Sequence, residues 1–157
     1  MKTKIYFYLV AILIITTCVS CSKDNEDNSL VFSVQYSGGG TAVDENLTIN
    51  SDTTSFSSSY YDLTTMKRKS YQTTIKTSKE LWDSLTQTFD LGTFVKIENG
   101  SCRACVDGID ETFSVIKNGT TYSFYNGVKN EHYQQMQNFL DLILEQIKTL
   151  QDSADYK

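Results

Sequence analysis

The stretch LVFSVQYSGGGTAVDENLTIN, residues 30–50, decides the fold class, because its pattern predicts two strands joined by a glycine turn. Apolar or aromatic residues occupy alternate positions of its first segment: Leu30, Phe32, Val34 and Tyr36. This period of two is typical of a strand with one buried face. The glycine run 38–40 ends the strand, and Leu47 and Ile49 stand in phase in the segment that follows. The sequence therefore predicts an antiparallel hairpin.

Further strands and a helix are predicted in the middle of the chain. Alternation recurs at residues 56–60 and 71–75, where the enrichment in Thr and Tyr favours strands. Thr77 and Glu80 have the Thr-x-x-Glu spacing of a helix capping box. The apolar residues that follow recur at helical spacing and predict a short amphipathic helix from about Ser78 to Phe89. FVKIE, residues 94–98, fits a further short strand.

The C-terminal half begins with the clearest hairpin signal, ETFSVIKNGTTYSFYNG at residues 111–127. Its Asn118-Gly119 pair can take the positive φ angles of a type I′ turn. A long helix is predicted next from the apolar stripe Tyr133, Met136, Leu140, Ile143, Ile147 and Leu150. Strands, helix, strands, helix is the order of an α+β fold. We expect an antiparallel sheet of short strands with one short central helix and one long C-terminal helix.

The N-terminus has the parts of a secretory signal peptide. Lys2 and Lys4 precede an apolar run at residues 5–15, and small polar residues and cysteine follow it. The apolar run is much shorter than the roughly 20 residues that a membrane-spanning helix needs. We therefore expect residues 1–20 to be removed during export.

Two cysteines compete for the position after the cleavage site. Ser20 is a small residue before Cys21, which suits signal-peptide cleavage better than Thr17 before Cys18. On these residues the sequence resembles bacterial lipoproteins, in which the cysteine after the cut is acylated and anchors the protein. The resemblance implies lipidation at Cys21, with palmitate among the expected acyl chains, and attachment to the outer membrane of a Gram-negative bacterium.

The segment CSKDNEDN, which begins at Cys21, adds a second resemblance. Ser-Lys and acidic residues after the lipid cysteine are similar to the surface-export signal of lipoproteins in one group of Gram-negative anaerobes. Here Lys23, Asp24, Glu26 and Asp27 carry the match. The resemblance implies display at the cell surface. The alternative is an anchor that faces the periplasm, with residues 21–29 acting only as a soluble acidic tether.

The mature chain is acidic and large enough for one domain. The full sequence of 157 residues has a formal net charge of −5, and losing Lys2 and Lys4 with the signal peptide brings it to −7. Nucleic-acid binding is disfavoured, because phosphates require a basic face. We expect a single domain at residues 30–150, followed by a polar tail at residues 151–157.

Cys102 and Cys105 form the most conspicuous motif of the domain. In an exported protein an oxidising environment favours a short-loop disulfide between them, with free or differently paired thiols as the alternative. A thioredoxin-like redox centre needs the pair at a helix N-terminus, whereas loop residues flank it here on both sides. Zinc needs four ligands, and these two sulfurs with the single histidine provide three.

The remaining candidates for chemistry carry weak signals. His132 has no accompanying Gly-x-Ser-x-Gly or His-x-x-x-His motif, so it is predicted to be a solvated helix-end residue. The carboxylates of residues 107–111, DGIDE, lack the spacing of a calcium loop. The glycine run 38–40 lacks the Lys-Ser/Thr of a phosphate loop. No catalytic residue, metal site or cofactor is therefore predicted.

One resemblance covers most of the domain. A strand ending in Ser-Gly-Gly, a central helix, and the Asp-x-x-Phe-Ser-Val of residues 110–115 before a hairpin and a closing helix look like emfourin-type inhibitors. These are small bacterial inhibitors of thermolysin-like metalloproteases. That family has Ala-Gly soon after its Gly-Gly, whereas Gly39-Gly40-Thr41-Ala42 leads here to Val43.

The function expected from these features is that of a non-enzymatic, surface- or outer-membrane-anchored lipoprotein that binds an unknown protein or glycan. Loops on a sheet scaffold usually carry recognition. We expect contact at residues 38–42 and 101–110, with Gly38, Gly39, Gly40 and Thr41 as the candidate binding residues. The alternatives are an inhibitor of thermolysin-like proteases and a small hydrolase or redox enzyme.

Overall fold

The computed structural model of the chain describes residues 30–39 and 43–153. The predicted signal peptide, the acidic tether and both candidate lipid cysteines lie outside the described residues. The strands are β1 Val31–Gly38, β2 Val43–Ile49, β3 Thr53–Asp62, β4 Lys67–Lys76, β5 Ile109–Lys117 and β6 Thr120–Tyr125. The helices are α1 Lys79–Thr88, α2 Leu91–Phe94, α3 Glu131–Gln135 and α4 Gln137–Ser153, with a 3-10 turn at Ala104–Val106.

The six strands form one antiparallel sheet in the order β4-β3-β2-β1-β5-β6. β1 is central, since it pairs with β2 on one side and with β5 on the other. Val34, for example, lies opposite Leu47 and opposite Phe113. The α+β fold with an antiparallel sheet, predicted from the sequence, is confirmed.

The core lies between one face of the sheet and the helices. Phe32 and Val34 of β1 are fully buried, and the ring of Phe32 lies 5.0 Å from that of Phe139 on α4. Further fully or nearly fully buried residues come from the same face of the sheet and from the helices: Leu47, Ile49, Phe56, Leu85, Phe113, Val115, Phe124, Leu140 and Ile143. Burial of this continuous apolar layer is the main stabilising contribution to the fold.

Helix α1 begins one residue later than the capping-box spacing predicts. The hydroxyl of Ser78 accepts a hydrogen bond from the backbone N–H of Leu81, so Ser78 is the N-cap. Thr77 is buried instead, and its hydroxyl lies 3.0 Å from that of Thr54 on β3. Because Thr77 contacts the sheet, the adjacent Ser78 caps the helix.

The FVKIE segment is helical and turn-like, so the prediction of a strand there is wrong. Asp90 caps α2 by accepting hydrogen bonds from the N–H groups of Gly92 and Thr93. Phe94 and Ile97, three residues apart, both enter the core. A spacing of three fits a helical turn better than the alternation of a strand.

The C-terminal helical region consists of two helices. Asn130 caps α3 through its side-chain oxygen. Met136 has φ −91° and ψ 1°, which interrupts the helix before α4 begins at Gln137. α4 continues past Leu150 to Ser153. Within the described part of the chain, no helix is long and apolar enough to span a bilayer.

The two ends of the sheet carry different segments of the chain. We call the end formed by Gly38, Val43, Ile109 and the β3–β4 turn the loop end. The opposite end holds Val31, where the chain arrives from the N-terminal segment, and the β5–β6 turn; we call it the anchor end. At the β5–β6 turn, Asn118 and Gly119 have φ of 51° and 74°, which confirms the predicted type I′ geometry.

Candidate functional site

The described residues of the two loops predicted to bind a partner, 38–39 and 101–110, meet at the loop end. Gly38, the last residue of β1, lies opposite Val43 of β2 and opposite Ile109 of β5. The connection after Gly38 therefore starts beside residues 99–108, which lead into β5. Gly39 lies against Ile109, with 3.4 Å between the side chain of Ile109 and a Cβ built on the glycine. Gly40 and Thr41 lie outside the described residues.

Residues 99–108 form a compact loop that we call the disulfide loop. Cys102 and Cys105 are joined in the structure, with their Cα atoms 5.5 Å apart. The backbone N–H of Gly108 donates to the carbonyl of Arg103 at 2.8 Å, and Asp107 between them has φ 60°. The only helical structure at the pair is the three-residue 3-10 turn Ala104–Val106. The long helix whose N-terminus activates a redox thiol is not at this position.

Asp110 fixes the disulfide loop to the sheet. Its Oδ1 accepts the backbone N–H of Arg103 at 2.6 Å and that of Ala104 at 3.3 Å. The same oxygen accepts the side-chain amide of Asn126 at 2.6 Å. The hydrogen bond from Asn126 and those from the two backbone N–H groups hold the pKa of Asp110 below its ordinary value, because they favour the charged carboxylate.

Asn126 is the buried partner of Asp110 at the end of β6. It is 5% exposed and adopts a left-handed backbone conformation with φ 46°. Its side-chain oxygen accepts the N–H of Glu111, and its amide nitrogen also donates to the carbonyl of Ser101. One asparagine therefore connects β6, β5 and the disulfide loop.

The loop end also exposes large apolar side chains. Leu63 and Met66 in the β3–β4 turn are each 66% exposed, Val106 in the disulfide loop is 79% exposed, and Ile109 is 41% exposed. Val106 and Ile109 lie on the β5 side of the sheet and Leu63 and Met66 on the β3–β4 side, so the loop end exposes apolar surface at two places.

A row of polar residues lies just inside the loop end, on the face of the sheet that the helices cover. Tyr36 lies opposite Glu45 and opposite Glu111 in the strand register. The Tyr36 hydroxyl donates to Glu111 Oε1 at 2.6 Å. Burial, together with the hydrogen bond to Glu111 and the negative charges of both glutamates, raises the pKa of Tyr36 far above its ordinary value.

No motif in the sequence marks this row. Glu45 stands in phase with Leu47 and Ile49, so the alternation itself places a carboxylate on the buried face of β2. That mismatch between an apolar phase and a charged residue was the available signal. Glu111 and Tyr36 are related to Glu45 only through the pairing of three strands.

His132 lies on α3, and its ring is less exposed than the prediction of a solvated helix-end residue requires. Its Nδ1 is buried without a hydrogen-bond partner, and its Nε2 lies 3.8 Å from Glu131 Oε1. In the described part of the chain neither nitrogen is bonded to a Ser, Thr or Cys side chain. Residues 30–39 and 43–153 also contain no group of three His, Cys, Asp or Glu side chains placed to hold a metal ion.

The predicted site residues thus fall into two groups. Gly38, Gly39, Cys102 and Cys105 meet at the loop end, whereas Cys21 lies outside the described residues.

No protein-family model matches the chain, and a comparison with curated protein sequences gives no match.

Proposed function

We propose that this protein is a non-enzymatic lipoprotein, anchored through Cys21 to the outer membrane and displayed at the cell surface, whose loop end binds a protein or glycan partner. One observation carries the proposal. Gly38 and Gly39, at the base of the first predicted binding loop, lie beside the disulfide loop, at the end of the sheet opposite the point where the N-terminal segment joins β1.

This arrangement suits a tethered binding module. β1 contains eight residues, and at a rise of about 3.3 Å per residue its two ends are roughly 23 Å apart. A lipid at Cys21 would be joined to Val31 at the anchor end. The loop end then lies on the far side of the domain from its attachment, where a partner can approach.

The loop end also has the composition of a contact surface. Its exposed apolar residues can bury area, and its polar groups are held in place by the Asp110–Asn126 hydrogen bonds. Loops held rigidly by a sheet lose little conformational entropy when a partner binds.

Site-specific photo-crosslinking on cells that display the full chain tests the proposal. A photoreactive amino acid replaces Val106 at the loop end or, in the matched control, Ile75 on β4 near the anchor end. Both side chains are exposed. We expect a discrete crosslinked partner from position 106 and none from position 75. Equal labelling from both positions, or turnover of peptide, sugar or disulfide substrates by the purified protein, would contradict it.

Inhibition of a thermolysin-like protease is the second candidate function. The favouring observation is the base of the β1–β2 connection, where Gly38 and Gly39 have φ of 113° and 79° and Gly38 packs against the disulfide loop. An inhibitory loop needs such a preorganised base, because rigidity reduces the entropy lost on binding.

A titration of several thermolysin-like proteases with the full chain tests this candidate. We expect activity to fall at near-equal molar ratio, and Gly39→Asp to abolish the effect. Gly119→Asp is the matched control, because Gly119 also has a positive φ but lies at the anchor end. Undiminished protease activity in every titration would reject inhibition and leave the general binding function in place.

A further inference from the structure

A cavity of about 260 Å³ opens between the loop end of the sheet and helix α4. We call it the loop-end pocket. Its lining comes from β1, β2 and β5 on one side and from α4 on the other. Pockets for drug-sized ligands span about 300–1,000 Å³. The loop-end pocket is smaller than that range, so its size suits one amino-acid side chain better than a cofactor.

Glu45 contributes a carboxylate to the lining of the pocket. Glu45 accepts hydrogen bonds from the amide of Gln151 at 2.9 and 3.0 Å and from the hydroxyl of Ser58 at 3.2 Å. These donors are neutral, so they orient the carboxylate without cancelling its charge. Within the described part of the chain, neither Glu45 nor its neighbour Glu111 forms a salt bridge.

The walls of the pocket are apolar. Val43 and Ile109 contribute from the strands, and Leu144 and Ile147 contribute from α4. Lys148, which is exposed, adds one positive charge to the lining, and Glu45 adds one negative charge, whereas Glu111 accepts the Tyr36 hydroxyl and does not line the pocket. The pocket therefore combines apolar walls with one carboxylate, that of Glu45, which forms no salt bridge in the described part of the chain.

We propose that the loop-end pocket receives a lysine or arginine side chain of the bound partner. The apolar walls would cover the methylene stem, and the Glu45 carboxylate would accept hydrogen bonds from the ammonium or guanidinium group. Charge-assisted hydrogen bonds of this kind are stronger than neutral ones, and partial burial limits their screening by salt. The inference rests on the proposed binding function, since Val43 and Ile109 belong both to the pocket and to the loop end.

Methyl NMR of the full chain in a neutral detergent tests the pocket without needing the partner. The probes are butylguanidinium and butylammonium, with uncharged butylurea as the control. We expect the cationic probes to shift the methyl signals of Leu144 and Ile147 saturably. Glu45→Gln should weaken binding roughly tenfold, the usual effect of removing the charged acceptor. Asp44→Asn, which removes the same charge from the other face of β2, should leave binding unchanged.

A second variant keeps the test independent of any folding defect in Glu45→Gln. Lys148→Glu replaces an exposed residue and removes the repulsive charge, so it should tighten binding of both cationic probes several-fold. Equal binding of butylurea, or no saturable shift with any probe, would overturn the proposal. So would binding that appears only after residues 154–157 are deleted, because the chain's own Lys157 would then be the occupant. Probe binding without a crosslinked partner would instead refute the proposed function alone.

Discussion

Gly38 lies directly against Ala104: a Cβ built on Gly38 would stand 2.8 Å from the Cβ of Ala104 and 2.8 Å from the carbonyl oxygen of Gly108. Real Cβ atoms do not approach other atoms this closely, so the last residue of β1 must lack a side chain for the disulfide loop to dock. The contact joins the two segments that we propose for partner binding into one surface.

Gly38→Ala should therefore cost more stability than an ordinary glycine replacement. The positive φ of Gly38 and the collision with Ala104 add up, and we expect a loss of about 3 kcal/mol in the free energy of unfolding. Gly119→Ala is the control, because Gly119 has φ 74° with nothing within 4 Å of its built Cβ. It should lose only about 1 kcal/mol. Denaturant unfolding of both variants measures the difference, and equal losses would show that the loops are not packed as described.

The sequence could predict the individual strands, because alternation and turn chemistry are local. Phe32 and Val34 are buried as their phase requires, and Asn118-Gly119 forms the expected turn. The cap of α1 was displaced by one residue for a tertiary reason. Thr77 and Ser78 can both cap a helix, and only the contact between Thr77 and Thr54 on β3 decides which of them does.

The arrangement of the candidate site could not be derived from the sequence. Gly38 and Ile109 meet because β1 pairs with β5, and no local pattern specifies this pairing. The loop-end pocket depends in addition on Gln151 of α4 reaching Glu45 of β2, two residues separated by 106 positions. Local sequence patterns propose which segments are strands and loops, whereas non-local pairing decides which of them share a surface.

The disulfide loop should survive loss of its covalent bond. Cys102→Ser combined with Cys105→Ser removes a very short ring, for which chain entropy predicts a loss of about 2 kcal/mol or less. The hydrogen bonds from Arg103 and Ala104 to Asp110 remain in the double variant. Far-UV circular dichroism should be unchanged, with a small shift in the denaturant midpoint. Thiols that alkylate readily in the wild-type protein isolated from the cell surface would refute the disulfide.

Asp110 should make the disulfide loop sensitive to acid. Its pKa is lowered in the folded protein, so its carboxylate contributes full stability above the ordinary pKa near 4, and that contribution is lost as pH falls through the lowered value. The amide signals of Arg103 and Ala104 should therefore shift only in this acidic range. Asp110→Asn should produce the shifted spectrum at neutral pH. Asp107→Asn is the control, because the left-handed backbone at residue 107 tolerates asparagine. The same spectral change in that variant would show that Asp110 is not its cause.

The last prediction concerns the lipid anchor, whose residues lie outside the described structure. Cys21→Ala should abolish acylation, so that the protein is either released or left unprocessed, whereas Cys18→Ala should leave the mature lipoprotein intact, because the cut falls after Ser20. Stable anchoring needs more than one acyl chain, since a single chain binds a membrane only marginally. Mass spectrometry of the mature N-terminus should therefore find several acyl groups on Cys21. An unmodified terminus away from both cysteines would remove the anchor, and with it the reason to regard the loop end as the outward-facing end of the domain.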